Sequence, residues 1–333
     1  MKSSRIAILP RERNWKLAIS ESIRDLGELL AYCEIDADRA GLAGQPGFPL
    51  RVTRYFASLI EKGNNLDPLL LQVLPDVLES RQVDGYTVDA VGDRQAMPVP
   101  GLIHKYHGRV LLTLTGACAI HCRYCFRRHF PYSEASVDYD TNGQVMAYLS
   151  NAKDVNEVIL SGGDPLMVSD HKLADLVSKL NGIAHIRSLR IHTRMLSVLP
   201  ERVTDAFVGI LQQFDGQVVF VTHINHPNEI SGHNQAAFRL LAGNGFTLFN
   251  QSVLLKRVND SAQTLAGLSE KLFASKIIPY YLHRLDKVQG AAHFDLSLEE
   301  SSRIYQQLRA RLPGYLVPTL VEEIAGMPSK TPV

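Results

Sequence analysis

Three cysteines carry the strongest chemical signal in the chain. Cys118, Cys122 and Cys125 form a C-x3-C-x2-C run, and the remaining cysteine, Cys33, lies far away. Four cysteines in 333 residues are too few for a disulfide scaffold, so a cluster of them points to metal or redox work. Two metals compete for such a run. An iron–sulfur cube takes one thiolate on each of three irons and leaves the fourth iron open to a small ligand. An open iron suits a cofactor with paired amino and carboxylate groups, such as S-adenosylmethionine. Zinc wants four tetrahedral ligands, and His121 or His129 would have to be the fourth. His121 adjoins Cys122 and is crowded by it, and there is no second C-x2-C pair. The iron–sulfur reading is therefore favoured. Cys33 reads as a small buried hydrophobe.

Other residues could work beside such a centre. Ser161-Gly162-Gly163-Asp164-Pro165 combines two glycines, which let the backbone approach a ligand, with an acid that can take an amino group. The same residues also spell an ordinary strand-to-helix turn with Asp164 as the cap. Arg127 and Arg128 follow Cys125 closely, and a guanidinium there can grip a carboxylate with two parallel hydrogen bonds. His223 and Asn225 together suit an adenosine or carboxylate contact, with a structural histidine equally open. Lys330, three residues from the end, would by position alone be a frayed surface lysine.

The elements that must position these residues alternate regularly. Short β-branched, apolar runs occur at 109–115, 155–161, 188–193, 217–223, 247–254 and 276–283. Stretches of helical periodicity lie between and after them, at 143–149, 173–180, 203–214, 234–242, 262–273 and 298–312. Strand starts recur at roughly the 30-residue size of a βα unit. Six such units predict an α/β fold, a parallel sheet curled into a barrel or partial barrel, with a doubly wound open sheet as the alternative. In either, ligands bind at the C-terminal strand ends, where the residues above fall. A further strand is expected over 315–321. The first hundred residues read as mostly helical, over 15–33 and 50–80, with Asp67-Pro68 starting a helix. Residues 85–101, with Pro98 and Pro100, read as a connector. The division expected is 1–100, helical region and connector, and 101–333, the barrel with its C-terminal segment.

Composition excludes other classes. Lys+Arg 35 against Asp+Glu 34 gives a net charge of +1, without the basic footprint of a nucleic-acid binder. No apolar run approaches the roughly 20 residues of a membrane helix. The N-terminal apolar stretch breaks too early for a signal peptide. A soluble cytoplasmic protein, with no membrane or nucleic-acid partner, is the expectation.

The cysteine run, with Tyr124 before its last member and placed after the first strand of a six-unit repeat, resembles the signature of the radical S-adenosylmethionine enzymes. Their core is a partial (β/α)6, TIM-like barrel. That resemblance implies a [4Fe–4S] cluster on Cys118, Cys122 and Cys125, with S-adenosylmethionine held by Gly162, Gly163 and Asp164. From about residue 85 to 333 the chain is also similar to the lysine 2,3-aminomutase family. The matching blocks are 98–106, the cysteine loop, 222–229, 250–260, Pro279-Tyr280-Tyr281 and Lys330-Thr331-Pro332-Val333. This second resemblance implies that Lys330 forms the Schiff base with pyridoxal 5′-phosphate, with Arg109 and Gln251 as further contacts to that cofactor. It also implies that Asp286 and Glu323 bind the ε-ammonium of substrate L-lysine while Arg127 grips its carboxylate. Glu323 stands where the family has aspartate, and Gly326-Met327-Pro328-Ser329 replaces the family's glycine run. The shortness of the chain resembles the bacterial branch that modifies elongation factor P. In that branch β-lysine is attached to the factor by a separate synthetase-like ligase, and an electron donor is required. The rival readings are a 2,3-aminomutase for glutamate or arginine, one acting on carrier-bound lysine, and a zinc-binding, non-catalytic barrel. Two acids at the substrate's tail argue against glutamate.

Overall fold

The structure, a computed structural model, describes residues 15–36, 47–135 and 142–333; the N-terminal stretch read for a leader lies outside them. Nine strands form one sheet: β1 (Leu102–Tyr106), β2 (Arg109–Thr113), β3 (Glu157–Ser161), β4 (Ser188–Thr193), β5 (Gln217–Thr222), β6 (Thr247–Val253), β7 (Ile278–His283), β8 (Thr319–Glu322) and β9 (Thr331–Pro332). Strands β2 to β8 run parallel, and β1 and β9 lie antiparallel at the two edges. The spatial order is the sequence order. Right-handed crossovers that always step the same way put every helix on one face, so the sheet curls with its C-terminal strand ends around one mouth. A doubly wound sheet would reverse its order at a switch point. The fold is thus a partial barrel, open along the seam between β1 and β9.

The barrel strands fall where the apolar runs place them. β3 is buried continuously from Val158 to Ser161, as a strand covered on both faces must be. Helix Asp170–Asn181 buries Leu173, Leu176, Val177 and Leu180, one face at 3.6-residue spacing, and Ser169 caps it through Lys172 N. The helices Asp205–Leu211, Gly232–Gly243, Ala262–Ala274 and Leu298–Arg311 have the same serine or threonine caps.

The N-terminal region is partly helical, in short pieces rather than the two long stretches expected. Helices Trp15–Ser20 and Leu26–Cys33 are separated at Ile23, which makes a β-bridge to Val52. Residues 50–80 yield only Arg54–Ser58, Pro68–Leu71 and a 3-10 turn, Val77–Ser80. Asp67 does cap the helix begun by Pro68. The apolar density misled because Leu69, Leu70, Val73 and Leu74 are all buried against surrounding structure instead of marking one helix face. Those residues share one apolar cluster with Leu112, Leu160, Ile191 and Phe220 of the barrel, so the two regions have a common core. Cys33 is fully buried within it. The edge strands β1 and β9 have no counterpart among the strands expected from the sequence, and 315–321 becomes a strand only from Thr319.

Candidate active site

Every residue to which the two resemblances give a role lines one cavity of about 620 Å³ inside the barrel, whereas Arg128 and His129 do not. At its mouth lies the loop after β2, with the thiols of Cys118, Cys122 and Cys125 all free and half-buried. The N-terminal region fixes this loop. His121 N donates to Arg51 O (2.9 Å), Arg123 N to Gln72 O (2.9 Å), and Arg51 Nη1 to Cys118 O (2.8 Å). Glu79, buried, pairs with Arg123 and Arg128 at 2.5 and 2.6 Å.

Burial pushes the Cys118 thiol well up and the Cys125 thiol up to about 11, with the neighbouring cysteines adding to it. A bound metal centre would hold them as thiolates. Among the described residues no three His, Cys, Asp or Glu side chains converge as a single ion requires. Zinc needs that convergence, whereas a cube takes one sulfur per iron and wants them spread. The proposed fourth zinc ligands each have one ring nitrogen bonded to a backbone carbonyl, His121 Nδ1 to Pro49 O (3.1 Å) and His129 Nε2 to Gln289 O (3.0 Å). The donor set fits an iron–sulfur cube.

Arg194, just after β4, is the centre of the mouth, and sequence reasoning gave it no role. Its Nη1 donates to Cys122 Sγ and Tyr124 Oη, both at 2.7 Å. Its Nη2 donates to Gln72 Oε1 (2.7 Å) and to Glu229 Oε2 (3.2 Å). The only sequence signal was its place at a strand end.

Two of the expected ligand contacts, Asp164 and Asn225, line the cavity and also make hydrogen bonds within the protein. The Asp164 carboxylate accepts from Leu166 N (3.0 Å), Thr193 Oγ1 (2.8 Å), Arg194 N (2.8 Å) and Met195 N (3.2 Å). Its lone pairs are engaged within the protein, where it caps a short turn at the cavity wall. Asn225 is likewise committed: Nδ2 donates to Gln72 Oε1 (3.0 Å) and Tyr124 Oη (2.7 Å), and Oδ1 accepts from Val253 N (2.8 Å). The glycines remain open to a ligand on one side. On the other, they admit the cysteine loop itself. Gly163 N donates to Thr115 O (2.6 Å), and a Cβ on Gly163 would fall 2.7 Å from the Gly116 carbonyl carbon. His223 faces the cavity with Nε2 unpartnered, and burial lowers its pKa to about 3, so the imidazole is neutral. His192 and His283 also line the cavity with Nε2 unpartnered, and burial lowers both well below the usual imidazole range.

The charged residues form a second group. The β8–β9 register pairs Glu322 with Thr331 and Val321 with Pro332, which sets Glu323 across from Lys330. Lys330 Nζ lies 2.6 Å from Glu323 Oε2. The tail lysine is therefore pinned by a hairpin and not frayed. Glu323 Oε1 meets Lys105 Nζ (3.1 Å), Lys105 meets Asp93 Oδ1 (2.6 Å), and Asp93 Oδ2 meets Arg127 Nε (2.7 Å). Arg127 Nη1 donates to Ser161 Oγ (3.0 Å). Burial raises Glu323, but Lys330 and Lys105 outweigh it and hold the carboxyl down at about 2. Among the described residues Asp286 has no such cation in contact. Burial, then Glu323, pushes it up to about 7. Gln251 lies on β6, and Arg109, at the start of β2, stacks on Tyr106 at 4.7 Å. Asp93 and Lys105 were also missed: one sits in the connector, the other in an edge strand not foreseen.

A model described as the radical SAM superfamily matches residues 112–264. Together with the partial barrel and its cysteine loop, this marks a radical S-adenosylmethionine domain within the chain. An L-lysine 2,3-aminomutase of Haemophilus influenzae is 47% identical over 326 residues, covering 97% of this chain and 96% of that one. The Escherichia coli L-lysine 2,3-aminomutase is 46% identical over 327 residues, covering 97% and 95%. That of Clostridium subterminale is 36% identical over 323 residues, covering 96% and 77%. The chain belongs to the L-lysine 2,3-aminomutase family and is an isomerase.

Proposed function

We propose that the protein moves the α-amino group of L-lysine to C3, giving β-lysine, with pyridoxal 5′-phosphate on Lys330. The observation that carries this reading is the pairing of Lys330 with Glu323 in a cavity that also holds the cysteine loop, Arg127 and the unpaired acid Asp286. When bound, the [4Fe–4S] cluster with S-adenosylmethionine supplies a hydrogen-abstracting radical, and pyridoxal phosphate supplies a conjugated system that stabilises an unpaired electron. Cys118, Cys122 and Cys125 would hold the cluster, with Arg194 donating to the Cys122 sulfur. Gly162 and Gly163 would meet S-adenosylmethionine through their backbone, and neutral His223 would offer a ring nitrogen. Arg109 and Gln251 would contact pyridoxal phosphate.

The chain's own groups do the positioning. Arg127 receives the substrate carboxylate at its Nη2 end. When Lys330 takes up the cofactor, Glu323 Oε2 is freed for the substrate's ε-ammonium. Asp286 shares that ammonium, and the new cation brings its carboxyl back toward ionisation. The barrel walls exclude water from a radical centre.

The wider setting proposed is cytoplasmic, with an unidentified electron donor and a separate ligase that attaches β-lysine to elongation factor P. The resemblance to the branch that modifies that factor supports it. No described helix is long and apolar enough to cross a membrane.

Anaerobically reconstituted protein supplied with reductant, S-adenosylmethionine and pyridoxal phosphate should be brown and convert L-lysine to β-lysine, leaving L-glutamate and L-arginine unchanged. A colourless zinc protein, or turnover only of a lysyl-carrier, would overturn the reading. Borohydride reduction with pyridoxal phosphate should label Lys330; a label on another lysine refutes that assignment.

A further inference from the structure

The barrel is open between β1 and β9, yet the two edges are not independent. The segment 85–101 runs across the gap. Thr87 N bonds to Lys287 O (2.9 Å) in the loop after β7. Gly92, at φ +69°, lies where an added Cβ would sit 3.2 Å from Ala325 Cβ, beyond β8. Asp93 follows, buried at 2% exposure, with Asp89 Oδ1 accepting from its backbone N–H (3.0 Å). From there the contacts pass through side chains: Arg127 to Asp93, Asp93 to Lys105 on edge strand β1, and Lys105 to Glu323 beside edge strand β9. Lys105 also donates to Val91 O (2.7 Å), which holds its ammonium over the gap.

We propose that Asp93 and Lys105 are positioning residues that close this seam and hold Arg127 and Glu323 apart at the separation of the substrate's two charged ends. The inference rests on the functional reading above, in which Arg127 takes the carboxylate and Glu323 the ε-ammonium. Each inner residue has two jobs. Asp93 fixes Arg127 by Nε, so its Nη2 edge keeps one direction, and it supplies the anion that neutralises both flanking cations. Lys105 fixes Glu323 by Oε1, so Oε2 is the oxygen that changes partner. Signs alternate along the chain, so removing an inner charge leaves its neighbours repelling or unpaired. Loss of either inner residue therefore loosens both ends, including the one it does not touch.

The test uses the reconstituted enzyme with D93N, K105M and the double variant, reading kcat and KM for L-lysine. It also reads the inhibition constant of L-norleucine, which keeps the carboxylate and lacks the ammonium. Each single variant should raise KM and the L-norleucine constant tenfold or more, with kcat changed less than threefold and iron content unchanged. The double variant should add less than threefold to either single, because one chain is broken only once. The response of L-norleucine to K105M is the decisive reading, since Lys105 makes no contact with Arg127 and a local structural role would not move it. Constants within threefold of wild type, or a fall in kcat at constant KM, overturn the proposal. If D93N does not fold, K105M alone decides. Wild-type enzyme that makes no β-lysine would instead refute the functional reading. Unchanged KM in R127K and E323Q would refute the roles of the two ends.

Discussion

Two carboxyls in the cavity have opposite electrostatic surroundings, and this fixes opposite pH signatures. Asp286 is half-buried, without a cation in contact among the described residues, and its desolvated carboxyl sits at about 7, above its unfolded value. The folded state therefore binds the extra proton, and stability falls as pH rises from about 4 to about 7, then stays level. In the substrate-free protein D286N should remove that loss. It should be more stable than wild type at pH 8 by on the order of 4 kcal/mol, with the gain shrinking toward pH 4. Urea melts across that range measure it, and equal stability at pH 8 would contradict the burial argument. Glu323, held at about 2 by Lys330 and Lys105, contributes stability above its unfolded value that is lost as pH falls through about 2. Arg194 is a third case. Its partner Glu229 is fully buried, so R194M leaves an uncompensated charge. That should cost about 3–5 kcal/mol in denaturant melts, with reduced iron retention after gel filtration.

At the scale of elements, the glycine turn after β3 is clamped to the cysteine loop, backbone to backbone. A Cβ on Gly163 would lie 2.7 Å from Gly116 carbonyl atoms, and neither backbone can yield cheaply. G163A should therefore displace the cysteine loop and lower iron loading, while G143A, with nothing near its added Cβ, should leave it unchanged. Equal iron content in both would refute the clamp. This turn also shows what a sequence can reveal. The barrel strands were legible because buried parallel strands are short apolar runs at βα spacing, with the chemistry at their ends; their order was not, because a doubly wound sheet shares that alternation. The cysteines stood out by their spacing, whereas Lys330 and Asp286 were singled out by family resemblance alone. Asp93, Lys105 and Gln72 were not, because each matters through a partner far along the chain: Lys105 meets Glu323, and Gln72 meets Arg194. Residue type likewise could not reveal the hydrogen bonds that Asp164 and Asn225 make within the protein.

At the scale of the molecule, the change of pattern near residue 100 does not mark a second core. Leu29, Phe56 and Leu70 join the barrel's own cluster. Polar ties run the same way: Thr53 Oγ1 donates to Val198 O (2.5 Å), and Tyr55 Oη lies 2.8 Å from Ser231 Oγ. Arg51, Gln72 and Glu79 brace the cysteine loop, so the N-terminal region is part of the site's support. Trp15, the only tryptophan, lies under the guanidinium of barrel residue Arg202 at 4.8 Å. Its fluorescence therefore reports docking of the N-terminal region, while far-UV circular dichroism is dominated by the barrel. In denaturant the two signals should change in one coincident transition. L70A, which empties a fully buried site in the shared cluster, should shift both together by about 2–5 kcal/mol. A fluorescence transition that precedes the barrel's, or a shift by L70A in that signal alone, would show instead that residues 1–100 are a domain of their own.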